Sequence, residues 1–530
     1  MSAQRMNLQR RFKLQLAILM YWVVLPALLL FVAHKADLLL SFSSLPAEVA
    51  VPIGGLLLFG SIAISSWCVA TLYLRGGGFP LAFMPPVRLV REGPYALSRH
   101  PLYLAFTLYL LGLSLIVRSL AGVMIVVPAF ALLWILYARL HEEGVLVRRY
   151  GEEYRQYKKD VPFFFHSQRD IPGPSIVYAI VYLVGKVIVH IMYSVTVKGE
   201  EDVPRSGPCI LLSNHASYLD PVFLVAACNR YVRFFTTGEM MRTRLGRWFF
   251  NGMGSIPTSR YKVDSASVRA FLAALKTGDI VGIFPEGERT WDGNPLPINT
   301  TVVRLLKRAN VPIVAARIEG SYAAYPRWSS YPLPGRIAVH FFAASLSDQI
   351  ENVFPRIRTN KAGTTVFPRS TRGLERLVWA CPACGTIGGI APYGSRIVCD
   401  HCHAEWLLDR SLNVRATDGT SVPLPQFVSF LSEKDFFREM DSLSSVGKVD
   451  LLVGGEELSR VASGEVVYRD GALHVGERSF PLSEARIIRL EGKDRLDIGF
   501  AQDSRLRMVF HRDSPLKWEH FLHAKLKRET

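Results

Sequence analysis

Apolar runs at about residues 14–33, 49–74, 102–117 and 120–138 limit what this chain can fold into more than any other feature. A helix needs about 20 consecutive apolar residues to cross a bilayer core, where no water satisfies a bare backbone. The first run follows Arg5, Arg10, Arg11 and Lys13. It is too long for a signal-peptide core and lacks a small-residue cleavage site, so it reads as a retained spanning helix. The third and fourth runs are joined by a couple of residues including Arg118 and read as a tight helical hairpin. Hydrophobic residues make up 49% of the chain and the mean hydropathy is +0.19, high for a water-soluble protein.

Lys and Arg accumulate in loops that stay in the cytoplasm. The N-terminus is rich in them, as are the loop with Arg75, Arg88, Arg91 and Arg99 and the segment with Arg139, Arg148, Arg149, Arg155, Lys158 and Lys159. The loops near Lys35 and Arg118 are poor. This pattern predicts four crossings with both ends cytoplasmic. A fifth apolar stretch, 171–197, carries Lys186 and His190 near its middle. A central charge costs about 2.5–3.5 kcal/mol on insertion scales, so this stretch reads as an interfacial or re-entrant helix lying on the inner leaflet. The net charge of +17 then suits an anionic lipid surface. No RNA or DNA module is recognisable, so nucleic acid is not expected as a partner.

His215 and Asp220, in Asn214-His215-Ala216-Ser217-Tyr218-Leu219-Asp220-Pro221, are suited to general-base work on a hydroxyl. A carboxylate bonded to one imidazole nitrogen fixes the tautomer and raises the basicity of the other. Five residues on a continuous helix would separate the two side chains by about 140°, so the chain must turn between them. Pro221 reads as a first helical residue with Asp220 as its cap, which puts His215 in the preceding loop. A capping carboxylate can orient the histidine only by sharing its oxygens. Short apolar strands such as Cys209–Leu212 and Ile280–Phe284 alternate with helical stretches such as Ser265–Lys276, an α/β layout.

Four ordered blocks extend the pattern: Asn214-His215 to Asp220, Gly254-Ser255-Ile256-Pro257-Thr258-Ser259-Arg260, Phe284-Pro285-Glu286-Gly287-Glu288-Arg289-Thr290, and Val311-Pro312-Ile313-Val314. Residues 195–345 thus resemble the glycerolipid acyltransferases that include lysophosphatidic acid acyltransferases. The resemblance implies direct transfer of an acyl group from a thioester to an alcohol without an acyl-enzyme, with His215 as base and Asp220 orienting it. It implies Arg260 and Arg289 as a clamp on the acceptor phosphate, Glu286 as a shaper of the acceptor pocket, and Gly287 as the place where backbone approaches it. The acceptor would be a lysophospholipid, most simply 1-acyl-sn-glycerol 3-phosphate; the donor would be acyl-CoA or acyl carrier protein. Glu288, where such proteins often carry a small neutral residue, would favour a cationic acceptor group or pair with Arg289. Ala315-Ala316 replaces a frequent second proline.

A second constellation lies among the spanning runs. Gly93-Pro94-Tyr95-Ala96-Leu97-Ser98-Arg99-His100-Pro101-Leu102-Tyr103 is followed by Glu142-Glu143 and by Tyr150-Gly151-Glu152-Glu153-Tyr154. Residues 50–165 resemble the integral-membrane methyltransferases that include isoprenylcysteine carboxyl methyltransferase and phospholipid N-methyltransferase. The resemblance implies S-adenosylmethionine as cofactor, with Arg99, His100, Pro101, Tyr103, Glu142 and Glu143 at its site. A fused relative of this kind either methylates a lipid or serves as an anchor.

Cys381, Cys384, Cys399 and Cys402 form two Cys-x-x-Cys pairs with fourteen residues between, the spacing of a structural zinc ribbon. Residues 412–530 carry strand-like pieces at 464–468, 472–475, 485–488 and 506–510, turns at Asp470-Gly471 and Glu491-Gly492, and a terminal amphipathic helix with Trp518, Phe521 and Leu522. That suggests a small helix-capped barrel, weakly similar to pleckstrin-homology or GRAM domains, its basic residues either binding lipid headgroups or forming a solvated surface. The expected architecture is a multidomain membrane protein. It comprises a transmembrane α-helical methyltransferase-like bundle (1–170), an α/β acyltransferase domain (171–370), a polar linker near 360–372, a zinc ribbon (376–411) and a β-rich domain (412–530). The expected place is the bacterial inner membrane with the catalytic domains on the cytoplasmic side.

Overall fold

The computed structural model describes residues 8–81, 83–164, 173–258, 265–344, 350–358, 361–454, 458–483, 485–500 and 504–526. Helical stretches Phe12–Leu39, Ala47–Gly76 and Gly122–Tyr150 are long and apolar enough to cross a membrane. The run expected as the third crossing forms helix Pro101–Ile116, of 16 residues, about 24 Å long at 1.5 Å per residue against a hydrocarbon core of about 30 Å. Three helices rather than four therefore reach spanning length among the described residues. The short helix packs on Ala47–Thr71 at a pair of glycines: a Cβ on Gly54 would lie 2.7 Å from the Gly112 carbonyl oxygen, and one on Gly112 would lie 2.9 Å from that of Gly54. Small residues let two backbones approach closely where apolar burial alone drives little association.

The connecting loops meet at one end of this bundle. Arg118 Nε donates to the Leu45 carbonyl (2.6 Å), and Asp37 accepts the Ala121 N–H (2.7 Å). At the opposite end Arg75 pairs with Glu92 (2.6 Å) and with Asp279 of the α/β domain. Helix Ile176–Met192 leads into that domain, burying Tyr178, Tyr182 and Val189 and leaving Val184, Val187, Ile188 and Ile191 exposed. Lys186 does not face the apolar side; its ammonium donates to Tyr182 Oη and Asn229 Oδ1, each at 3.1 Å.

The α/β domain has a seven-stranded sheet: β1 (Tyr193–Lys198), β2 (Cys209–Ser213), β3 (Val232–Thr237), β4 (Ile256–Thr258), β5 (Ile280–Ile283), β6 (Ile313–Glu319) and β7 (Gly335–Ala344), in the order β1-β7-β6-β2-β5-β3-β4. Pairing is parallel except between β6 and β7. Ile176–Met192 and Asp220–Ala227 cover one face; Ser265–Lys276, Thr300–Ala309 and Ile350–Ile357 cover the other. The buried run Cys209–Ser213 is apolar on both sides, as a strand covered on two faces must be. The carboxyl ends of β2 and β5 open on one edge, where open α/β sheets gather their ligand chemistry.

The segment expected as a linker is packed. Arg369, 1% exposed, donates to Ser329 Oγ (2.6 Å) and to the carbonyls of Tyr331, Ala323 and Ala324. An antiparallel five-stranded sheet spanning 390–423 follows and runs past the expected boundary at 411. Antiparallel sheets of four and five strands then pack with helix Pro515–Leu526, which buries Trp518, Phe521 and Leu522. Asp470 (φ 50°) and Gly471 (φ 73°) form the two-residue hairpin turn read from the sequence. One hydrophobic core runs from Trp291, Tyr322 and Trp328 through Trp379 to Trp518. The parts expected as separate ribbon and β-rich domains thus share a core with the α/β domain.

Candidate functional site

His215 leaves the carboxyl end of β2, where Asn214 is pinned to the neighbouring β6. Its Nδ2 donates to the Ile318 carbonyl (2.9 Å) and its Oδ1 accepts the Ile318 N–H (2.8 Å). The chain turns through Ala216–Leu219, and Asp220 begins helix Asp220–Ala227 with Pro221 in the first turn. Asp220 is not the helix cap expected from the sequence. Its fully buried carboxylate points back into the loop, where Oδ2 accepts from Ala216 N–H (2.7 Å), Ser217 N–H (2.8 Å) and His215 Nδ1 (2.9 Å). One oxygen is therefore shared, and Oδ1 is buried with no hydrogen-bond partner among the described residues. The imidazole lies flat on Phe284, ring centres 4.1 Å apart at 15°, and Phe284 in turn stacks on Phe234.

The third block, at the carboxyl end of β5, lies beside this pair. Glu286 accepts the His215 N–H (3.4 Å); burial pushes its carboxyl up to about 7, against the pull of that N–H. Gly287 has φ 74°, a conformation that costs glycine little and other residues more. The Arg289 guanidinium, 8% exposed, sits 3.1 Å from the centre of the Tyr218 ring. Glu288 reaches Arg327 (3.3 Å). Arg260 falls outside the described residues. Arg327 was not singled out in the sequence because no motif spacing marks it. It donates to the Arg289 carbonyl (2.9 Å) and the Gly492 carbonyl (2.7 Å) and lies over Trp291.

The second constellation also comes together. Glu143 Oε1 lies 3.3 Å from Arg99 and 3.5 Å from His100 Nε2, while Oε2 meets Lys158 at 2.6 Å. Glu142 lies 3.6 Å from His100 Nδ1. A π-helical turn, Ala138–Glu142, rephases the spanning helix just before Glu143. Pro101 starts the helix Pro101–Ile116, and Tyr103 stacks on Trp134, 5.2 Å apart at 7°. Phe163 lies against His100 and under Arg99 and Arg139. Lys158 and Phe163 were missed in the sequence, since neither stands at a fixed offset from the paired carboxylates. Arg99 Nε, His100 Nε2, Glu142 Oε2 and Glu143 Oε1 are buried without a hydrogen bond among the described residues. A ligand with amino, hydroxyl and carboxylate groups fits such atoms.

Cys381, Cys384, Cys399 and Cys402 bring all four sulfurs within 4.8 Å of one another. The 3.7 Å between Cys381 and Cys402 and 3.8 Å between Cys384 and Cys399 match the edge of about 3.8 Å of a tetrahedron with Zn–S bonds near 2.3 Å. The donor set fits zinc.

Residues 194–319 match the family model Acyltransferase, and residues 49–153 match the model Phospholipid methyltransferase. The chain is 28% identical over 144 residues to the chloroplastic 1-acyl-sn-glycerol-3-phosphate acyltransferase BAT2 of Brassica napus, covering 27% of this chain and 42% of that one. Over 77 residues it is 35% identical to the protein-S-isoprenylcysteine O-methyltransferase of Schizosaccharomyces pombe, covering 14% and 31%. The 1-acyl-sn-glycerophosphate (LPA) acyltransferase PlsC of Thermotoga maritima overlays 43% of this chain and 90% of its own at 20% identity, with a TM-score of 0.31. The chain spans less than half the length of either curated relative. Fold and sites define a membrane protein with two transferase-type modules. More particularly, one module matches the acyltransferase model and the other the phospholipid-methyltransferase model, with a four-cysteine cluster and a β-rich C-terminal region.

Proposed function

We propose that the chain is a lipid acyltransferase that moves a fatty acyl group from acyl-CoA or acyl carrier protein to a lysophospholipid, most simply 1-acyl-sn-glycerol 3-phosphate. The observation that carries this is the 2.9 Å contact between His215 Nδ1 and buried Asp220. With Nδ1–H held by the carboxylate, the lone pair on Nε2 is the base. The acceptor hydroxyl oxygen attacks the thioester carbonyl as Nε2 takes its proton. The tetrahedral adduct then expels the thiolate, which recovers the proton from Nε2, leaving an ester and a free thiol. Asp220 stabilises the transient imidazolium. Arg289, with Arg260, binds the acceptor phosphate, and Glu286 borders its pocket.

A second activity is favoured by the buried polar ring of Arg99, His100, Glu142 and Glu143. S-adenosylmethionine supplies an electrophilic methyl group when bound. Here the carboxylates would hold its amino and ribose groups, Arg99 and His100 its carboxylate, and Pro101 and Tyr103 the wall beside them. Zinc bound by the four cysteines is structural, since four thiolates leave no open position. The membrane is a bacterial inner membrane, and the basic end of the bundle and both sites face the cytoplasm.

Mass spectrometry of lipids tests both readings, using the purified full-length protein with isotopically labelled S-adenosylmethionine, labelled acyl-CoA and a lysolipid mixture. Both labels in one lipid establish a two-step enzyme; acyl label alone leaves an acyltransferase on a membrane anchor. Acyl transfer that persists in His215→Ala refutes the base assignment.

A further inference from the structure

Between the bundle and the α/β domain lies a cavity of about 190 Å³, lined by Arg75, Arg88, Arg91, Arg205 and Arg230 against a single carboxylate, Glu92. A buried water needs only about 10–15 Å³ by a comparable measure, so the space holds a polyatomic group. It is separate from the acyl-transfer site. Gly207, Arg230 and Gly278 lie before the amino ends of β2, β3 and β5, whereas His215 follows the carboxyl end of β2. The five residues of β2 alone put roughly 16 Å between the two edges.

Among the described residues that line it, five guanidiniums face one carboxylate. Arg75 is matched by Glu92 and Asp279, and Asp279 is shared with Arg233. Arg230, 8% exposed, donates to the carbonyls of Pro204, Gly207 and Gly278. Arg88 donates to the Arg205 carbonyl and Arg91 to the Glu153 carbonyl. Carbonyls orient guanidiniums but do not neutralise them, so several like charges face one space. Burial lowers the proton affinity of Arg230 against the pull of Cys228 and Cys209, and the nearby Arg75 and Arg88 add smaller contributions in the same direction as burial. Arginine presents paired donors matched to phosphate oxygens.

We propose that this cavity binds a phosphate group, carried by an anionic lipid headgroup or free in solution. Its place favours contact with both modules. Leu74 and Arg75 end the spanning helix at one wall, and residues 88–92 run directly into the Gly93–Tyr103 segment. The site is independent of either proposed reaction.

The test uses the full-length protein in neutral detergent, with native mass spectrometry of added phosphatidylglycerol or phosphatidylcholine of identical chains. Arg88 and Arg205, both exposed at the rim, are changed together. The wild type should retain phosphatidylglycerol about tenfold better than phosphatidylcholine. Arg88→Gln/Arg205→Gln should bring that preference to within about twofold, and Arg88→Lys/Arg205→Lys, which keeps the charge but loses the paired donors, should fall between the wild type and the glutamine pair. Millimolar inorganic phosphate that displaces the lipid identifies free phosphate as sufficient; lipid that resists displacement identifies the headgroup as the source. A wild type with no preference, or a folded glutamine pair that binds as the wild type does, overturns the proposal.

Discussion

Replacing Asp220 by Asn isolates what its charge does, because shape and hydrogen-bonding reach are nearly kept. An amide oxygen in the place of Oδ2 still accepts from Ala216, Ser217 and His215. Hydrogen bonds to a charged group contribute about 1.5–3 kcal/mol and neutral ones about 0.5–1.5, so the three together forfeit about 3–4.5 kcal/mol of stability. A comparable loss falls on the reaction. An imidazolium at 2.9 Å from a carboxylate gains about 6 kcal/mol at an effective dielectric of 20, an upper bound before relaxation. General-base catalysis contributes about 10²–10⁴-fold, equal to about 3–5 kcal/mol of barrier. Asp220→Asn should therefore lower kcat by about 10²–10⁴ and leave KM within about threefold, since the carboxylate does not touch the acceptor. Thiol release from acyl-CoA with a lysophosphatidic acid acceptor measures both constants, and thermal melting confirms the fold. A folded variant that keeps kcat within about threefold would show that Asp220 only ties the loop.

Burial, followed by the nearby Glu288, raises the Glu519 carboxyl from 4.5 to about 7. The folded state thus binds the proton more tightly than the unfolded one: its stability is full below pH 4.5 and is lost as pH rises through 7. Glu519→Gln should leave melting at about pH 4 unchanged and raise stability at about pH 8 by up to about 3 kcal/mol; an unaltered pH slope would refute this. Cys399→Ser should reduce bound zinc, read by elemental analysis, from about one per chain toward none and lower the Tm by at least about 5 °C. Undiminished metal content would sink the zinc assignment. Glu143→Gln removes the charge shared by Arg99, His100 and Lys158; binding of labelled S-adenosylmethionine should weaken by at least about tenfold, and unchanged binding would remove Glu143 from that site. A chain ended after residue 372 should fail to yield a folded acyltransferase domain by melting or gel filtration, because Trp291 and Trp328 lose the core they share with Trp379; a stable, active fragment would contradict the shared core.

What was legible in the sequence was local. Helix Ser265–Lys276 and strands β2 and β5 were marked by apolar runs of the right length between turn residues. The cysteine spacing implied the sulfur cluster. The histidine and aspartate announced their contact through the proline that turns the chain. Partners distant in sequence were not legible. Asp220 as a helix cap was the simplest use of its side chain, but two loop N–H groups three and four residues back compete for it and win. The polar stretch near 360–372 had a linker's composition, yet Arg369 finds four acceptors on 323–331 that no local pattern advertises. Strands Val449–Gly454 and Arg495–Gly499 were missed because the first breaks its alternation at Leu451-Leu452 and the second is only five residues long.

The C-terminal region had two readings, lipid sensor or solvated barrel, and both treated it as detachable from the chemistry. Its contacts argue otherwise. Arg507 and Arg495 grasp Glu239 of the α/β domain, and Arg507 is held on its other side by buried Asp497 at 2.6 Å. These charges hold Glu239 ionised; its carboxyl stays below the ordinary range despite burial. Arg327 joins the carbonyl of Arg289, in the block beside His215, to that of Gly492 at the tip of a hairpin of the β-rich region. Lys493 from the same hairpin donates to Ser329 and Ser330. A guanidinium 3% exposed that links the two parts through carbonyls fixes backbone against backbone, a more rigid coupling than a surface ion pair provides. The β-rich region therefore belongs to the scaffold that sets where Arg289 stands.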